Sequence, residues 1–269
     1  MTEYPRLSYK STFSFHDPTF RPAGLTDSKL GGAPYRPKGA GWPIAPDGLP
    51  YSFVAQLNLE QVERDRQSLG IPPLLEGALP TTGLLQFFLP LCDGWRPGCF
   101  VAYLLDYSYP ADEPLFAWKA DYDSPVVWVR EIPHPEIDPR TQHLKFGAFY
   151  TELSLLCHPE VPQALEPVAL EPMLQRPVPG LHIEAPEQES KRELRQSYLG
   201  ECNHQVGGLA NFVQNDPRPE GSPLRLLFQI EADHHMQWIG DSGNFQFFID
   251  PADLARKDFR NVLADWTCC

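Results

Sequence analysis

Large apolar residues gather along this chain into short runs, each interrupted by one glutamine and bounded by glycine, proline or a polar residue. The clearest are Phe53-Val54-Ala55-Gln56-Leu57-Asn58 and Gly83-Leu84-Leu85-Gln86-Phe87-Phe88-Leu89 in the first half. Leu226-Leu227-Phe228-Gln229-Ile230-Glu231 and Gly243-Asn244-Phe245-Gln246-Phe247-Phe248-Ile249 follow near the C-terminus. Runs of this length, rich in aromatics, predict buried β-strands rather than helices. Each pair of runs is preceded by a glycine pair, in Leu30-Gly31-Gly32-Ala33 and Val206-Gly207-Gly208-Leu209.

The order glycine pair, glutamine run, glutamine run therefore occurs twice. The first glycine and the first glutamine are 25 residues apart in one copy and 22 in the other, and the two glutamines are 30 and 17 apart. Strand cores match while the connections vary, as loops tolerate changes of length. The expected architecture is α+β and β-rich, a tandem duplication of two related units forming one globular assembly. The first unit is expected at 24–100, an intervening segment and proline-rich connector at 101–200, and the second unit at 201–269.

A glutamine inside a buried strand must find hydrogen bonds. Gln56, Gln86, Gln229 and Gln246 are expected to bond one another or neighbouring backbone where the units meet, with ligand contact as the alternative. Gly31-Gly32 and Gly207-Gly208 read as required turns, the other possibility being close backbone approach to a ligand. Composition agrees with many strands and ordered loops, since 30 prolines disfavour long helices.

The stretch from Tyr103 to Asp123, YLLDYSYPADEPLFAWKADYD, holds six aromatic and five acidic residues against a single Lys119. Its Asp106, Tyr107, Tyr109, Asp112, Glu113, Trp118, Asp121, Tyr122 and Asp123 form a candidate partner-binding set. Tyrosine and tryptophan offer large contact area at low entropic cost, and carboxylates pair with arginine and lysine clusters. The plainer reading is a hairpin with Tyr103, Phe116 and Trp118 turned inward and the acids in water. After Cys157 come seven prolines between Pro159 and Pro186, then a short polar helix candidate from Glu187 to Tyr198. Asp250-Pro251 opens a second helix candidate, with Leu254 and Phe259 on one stripe and Trp266 anchoring the end of the chain.

Net charge of −13 repels nucleic-acid phosphates and anionic lipid, so neither nucleic acid nor membrane is an expected partner, whereas a basic protein is. No apolar core of signal-peptide length opens the sequence, and no stretch approaches the length that spans a bilayer. A cytoplasmic location follows, with Cys92, Cys99, Cys157, Cys202, Cys268 and Cys269 as reduced thiols. Metal-ligand types occur at Cys157-His158, Cys202-x-His204, His234-His235 and Cys268-Cys269, in no standard zinc spacing. Nucleophile elbow, phosphate loop and dinucleotide fingerprint are absent from the sequence, and Asp241-Ser242-Gly243 reads as a tight turn. No metal, cofactor or catalytic residue is expected.

These motifs, with Trp42-Pro43, Trp238 through Gly240-Asp241-Ser242-Gly243, and the closing Pro251-Ala252-Asp253-Leu254 to Asp258-Phe259, resemble the YwqG-like family, a bacterial domain family of unknown function. The family supplies no established catalytic residues to carry over. Some members resemble immunity proteins that neutralise toxins, and that resemblance implies a protein partner. The expectation is a non-enzymatic immunity protein binding a basic toxin, with a nuclease domain the toxin class that an acidic inhibitor suits best. The alternative is an enzyme or small-ligand-binding protein of unrecognised chemistry, with a cleft between the units near Gln56 and Gln229.

Overall fold

A computed structural model describes residues 5–11, 23–31, 34–37, 40, 43–46, 51–90, 98–107, 168–173, 204–232 and 243–267. Their strands are β1 Arg6–Ser11, β2 Lys29–Leu30, β3 Ser52–Asn58, β4 Leu84–Leu89, β5 Phe100–Leu104, β6 Val168–Met173, β7 His204–Gly207, β8 Arg225–Glu231, β9 Asn244–Ile249 and β10 Leu263–Thr267. The helices are α1 Leu59–Ser68 and α2 Pro251–Ala255, with a 3₁₀ turn at Leu74–Gly77. The fold is α+β and β-rich.

All strand pairs are antiparallel, in the order β10-β9-β8-β7-β1-β6-β2-β3-β4-β5. Two sheets share β6. Its Val168 and Ala169 pair with β2, while Leu170 to Met173 pair with β1. From the β1/β6 junction, β2-β3-β4-β5 runs outward on one side and β7-β8-β9-β10 on the other.

Registers on the two sides correspond. Gln56 stands opposite Gln86 in β3/β4, and Gln229 opposite Gln246 in β8/β9. Each pair has a bulge at the same point, between Phe53 and Ala55 and between Leu226 and Phe228. Strand side chains alternate between faces. The inward set includes Leu57, Leu85, Phe87, Phe228, Ile230, Phe245 and Phe247. The sheets meet where the Phe87 ring lies 5.0 Å from that of Phe228 and 4.7 Å from that of Phe247, close enough for aromatic attraction beyond simple burial.

Helix α1 forms where the strand pattern gives way to Leu59 and Val62 at i and i+3, both buried. The Asn58 side chain accepts from the N–H groups of Glu60 and Gln61 and so caps it. In α2, Pro251 fills the first turn, Asp250 accepts from the Ala252 N–H at 2.7 Å, and Leu254 is buried. The helix ends at Ala255, so Phe259, expected on one stripe with Leu254, lies beyond it and is buried from the segment that follows; Trp266, in β10, stacks on Phe245 at 6.2 Å. The expected Glu187–Tyr198 helix lies outside the described residues. No helix among the described residues is long and apolar enough to cross a membrane.

Candidate functional site

The four glutamines lie on the faces of the sheets turned away from the Phe87 contact, and each is buried. Gln56 Oε1 accepts from the Tyr35 N–H at 3.0 Å, and Gln86 Nε2 donates to the Tyr35 carbonyl at 2.6 Å. On the other side Gln229 Oε1 accepts from the Asn211 N–H at 2.8 Å, and Gln246 Nε2 donates to the Asn211 carbonyl at 2.7 Å. Tyr35 and Asn211 each follow the first glycine of their pair by four residues. Each glutamine pair thus offers one loop residue the acceptor and donor that a neighbouring strand would offer, and pins that loop over the sheet. The bonds lie within each half rather than where the halves meet. Gln86 Nε2 also donates to Gln56 Oε1 at 2.8 Å, and Gln56 Nε2 donates to the carbonyls of Leu25 and Asp27.

Turn geometry at the glycine pairs explains how the chain reaches those loops. Gly31 has φ of 65°, Gly207 of 69° and Gly208 of 76°, in the region where an L side chain is strained. A Cβ on Gly208 would also lie 2.6 Å from the Cβ of Arg6.

The two halves differ in the next row of cross-strand partners. Asn58, Leu84 and Leu104 stand side by side in the first half, Glu231, Asn244 and Thr267 in the second. Glu231 Oε1 accepts from Asn211 Nδ2 at 3.0 Å and Gln229 Nε2 at 2.7 Å. Burial pushes its carboxyl up to about 7, against the pull of these bonds and of the Arg6 charge. His204 is fully buried and its Nδ1 accepts from the Glu231 N–H at 3.3 Å. Asn244 Oδ1 accepts from Gln246 Nε2 at 2.6 Å and Thr267 Oγ1 at 2.7 Å.

Two acceptors in this half, Gln205 Oε1 and Gln246 Oε1, are buried with no hydrogen-bond donor among the described residues. Their amide orientation is fixed, because each Nε2 donates to two oxygens: Gly207 and Leu209 for Gln205, Asn211 and Asn244 for Gln246. In the first half the cross-strand partner of Gln56 is Lys29. Its ammonium donates to the carbonyls of Gly24 and Leu25, and burial lowers it to about 7 although Asp27 opposes the shift. Sequence reading passed over Lys29, Arg6 and Glu231. Glu231 was signalled by its place at the end of an apolar run, whereas Lys29 and Arg6 stand in mixed segments that carry no such signal.

Of the candidate partner-binding residues, Asp106 and Tyr107 are described, separated from the end of β5 by Leu105. Asp106 is exposed. The Tyr107 hydroxyl donates to Glu60 Oε2 at 3.0 Å, and its ring meets that of Tyr35 edge-on at 6.2 Å. Glu60 in turn accepts from the Gly83 N–H, fixing the carboxylate that orients the tyrosine. Tyr109, Asp112, Glu113, Trp118, Asp121, Tyr122 and Asp123 lie outside the described residues. Tyr103 packs its ring 5.3 Å from Phe259 and donates its hydroxyl to the Thr82 carbonyl, so its side chain is used inward.

Cys99 is a free thiol pushed up to about 12 by burial, the opposite of the shift that activates a nucleophilic cysteine. Cys202 and the pairs His234-His235 and Cys268-Cys269 fall outside the described residues. Among those described, no three His, Cys, Asp or Glu side chains are grouped so as to hold a metal ion.

The family model described as "Domain of unknown function (DUF1963)" matches residues 28–268. No curated protein matches the chain.

Proposed function

The chain belongs to the family described as Domain of unknown function (DUF1963), and from that premise we propose that it is a non-enzymatic binding protein of the YwqG-like kind. In this reading it acts in the cytoplasm as an immunity protein that neutralises a cognate basic toxin, with a nuclease domain the best electrostatic match. One observation carries the proposal. The candidate partner-binding set opens at the exposed Asp106 and at Tyr107, whose ring and hydroxyl are held by Tyr35 and Glu60, in a chain of net charge −13. Anchored tyrosines cost little entropy on binding, and surface carboxylates speed encounter with a basic partner.

The test is recovery of the partner from the native host with the tagged protein, then titration and co-expression. A basic toxin domain bound in the nanomolar range, with growth restored on co-expression, is the expected result. Recovery of no toxin from a folded protein, or a toxin bound without relief of growth, sinks the reading.

A further inference from the structure

Among the described residues, strands β5 and β10 end the ten-strand order, and each is bonded to one neighbour only. Their registers correspond: Ala102 stands opposite Gln86, and Asp265 opposite Gln246. A free strand edge invites pairing with another chain, and proteins commonly blunt it with a charge, a proline or a bulge. Strand β10 carries such a device, since Asp265 sits at its centre, half-buried, with its carboxyl raised by desolvation. Strand β5 reads Phe-Val-Ala-Tyr-Leu, with Ala102 at the equivalent place and no charge, proline or bulge.

Large exposed hydrophobics among the described residues are Phe100 at 40% and Leu105 at 66%. One begins β5 and the other directly follows it. Phe100 is held in place by the rings of Tyr51 at 5.9 Å and Phe88 at 5.7 Å. The exposed Asp106 comes next.

We propose that the open edge of β5 is a strand-addition site taking an extended segment of a partner protein. That segment pairs with Phe100–Leu104, lays apolar side chains against Phe100 and Leu105, and carries lysine or arginine where it passes Asp106. Backbone bonds supply affinity in this mode, and the flanking side chains supply selectivity. A second copy of this chain is disfavoured as the occupant, because each copy carries net charge −13 and like charges oppose association. The inference rests on the protein-binding reading above and specifies how the partner is held.

The probe is a capped peptide of alternating valine and threonine ending in two lysines, about nine residues long, the span of a long strand. Hydrogen exchange is followed by mass spectrometry. Slowed exchange at Phe100–Leu104 on peptide addition is expected, with affinity reduced at least about tenfold in Ala102→Asp, which copies the β10 device onto β5. Should Ala102→Asp fail to fold by circular dichroism, Leu105→Lys, at an exposed position, takes its place with the same expectation.

Unchanged exchange on β5, or equal protection in the variant, overturns the proposal. So does self-association in sedimentation velocity that Ala102→Asp abolishes, which assigns the edge to a second copy. Peptide protection without any toxin neutralised leaves the β5 site standing and retires the immunity role. Neutralisation unaltered by Ala102→Asp does the reverse.

Discussion

Gln56, Gln86, Gln229 and Gln246 show how a polar residue is tolerated inside an apolar strand: each satisfies a loop backbone group that no strand reaches. Replacing Gln86 with leucine keeps the volume but leaves the buried Tyr35 carbonyl without its donor and Gln56 with one partner fewer. Loss of about 1–3 kcal/mol is expected by chemical denaturation, the usual penalty for an orphaned buried group. Glu231 and Lys29 predict an unusual pH profile. Glu231 ionises at 4.5 in its ordinary state and at about 7 when folded. The folded chain therefore binds more protons in that window, and stability falls as pH rises through it. Lys29 titrates at about 7 when folded and at 10.5 ordinarily, so stability rises across that second window. Together these groups place a stability minimum near pH 7. In Glu231→Gln, which retains an acceptor for Asn211 and Gln229, the fall below pH 7 is expected to disappear in urea unfolding at successive pH values.

At the scale of elements, local signals and contacts made at a distance divide the work. The second helix was readable because Asp250, Pro251 and Leu254 carry its cap, first turn and buried face within five consecutive residues. Helix α1 was not identified, although Asn58, Leu59 and Val62 hold the same kinds of signal. The apolar run of β3 continues into its first turn and masks the change of period. Asn58→Ala removes the cap and the bond to the Thr26 carbonyl. A cost of about 1–2 kcal/mol is expected, read as a lower denaturation midpoint at unchanged slope. The glycine pairs were legible as turns, and Gly208 adds a constraint the sequence does not carry, its contact with Arg6 of β1. Gly208→Ala combines positive φ with that clash, so more than about 2 kcal/mol is expected in the same assay.

At the scale of the whole molecule, the two sheets are held together by aromatic contact between residues distant in sequence. Phe87 is fully buried between Phe228 and Phe247. Phe87→Ala is expected to cost about 3–5 kcal/mol by equilibrium unfolding, as large core truncations do. The net charge acts at this scale too. If a basic toxin is the partner, Asp106→Lys is expected to slow association and flatten its dependence on salt, measured by stopped flow at several ionic strengths. An unchanged rate removes Asp106 from the encounter surface.

By itself the sequence determined that the chain is β-rich, where the glutamine strands run, which glycines turn, and that the surface is strongly acidic. Those properties depend on residue type and on spacing within a few positions, which are local quantities. Tertiary structure decided which loop residue each glutamine pair grips, that β6 joins the two sheets, and that Lys29 and Glu231 are buried deeply enough to titrate near 7. It also decided that β5 and β10 end the order of the described strands, with alanine at the centre of β5 and an acid at the centre of β10. Such facts depend on which strands become neighbours. Strand pairing is set by packing among residues far apart in the chain, such as Phe87 with Phe228, and no short stretch of sequence records that choice.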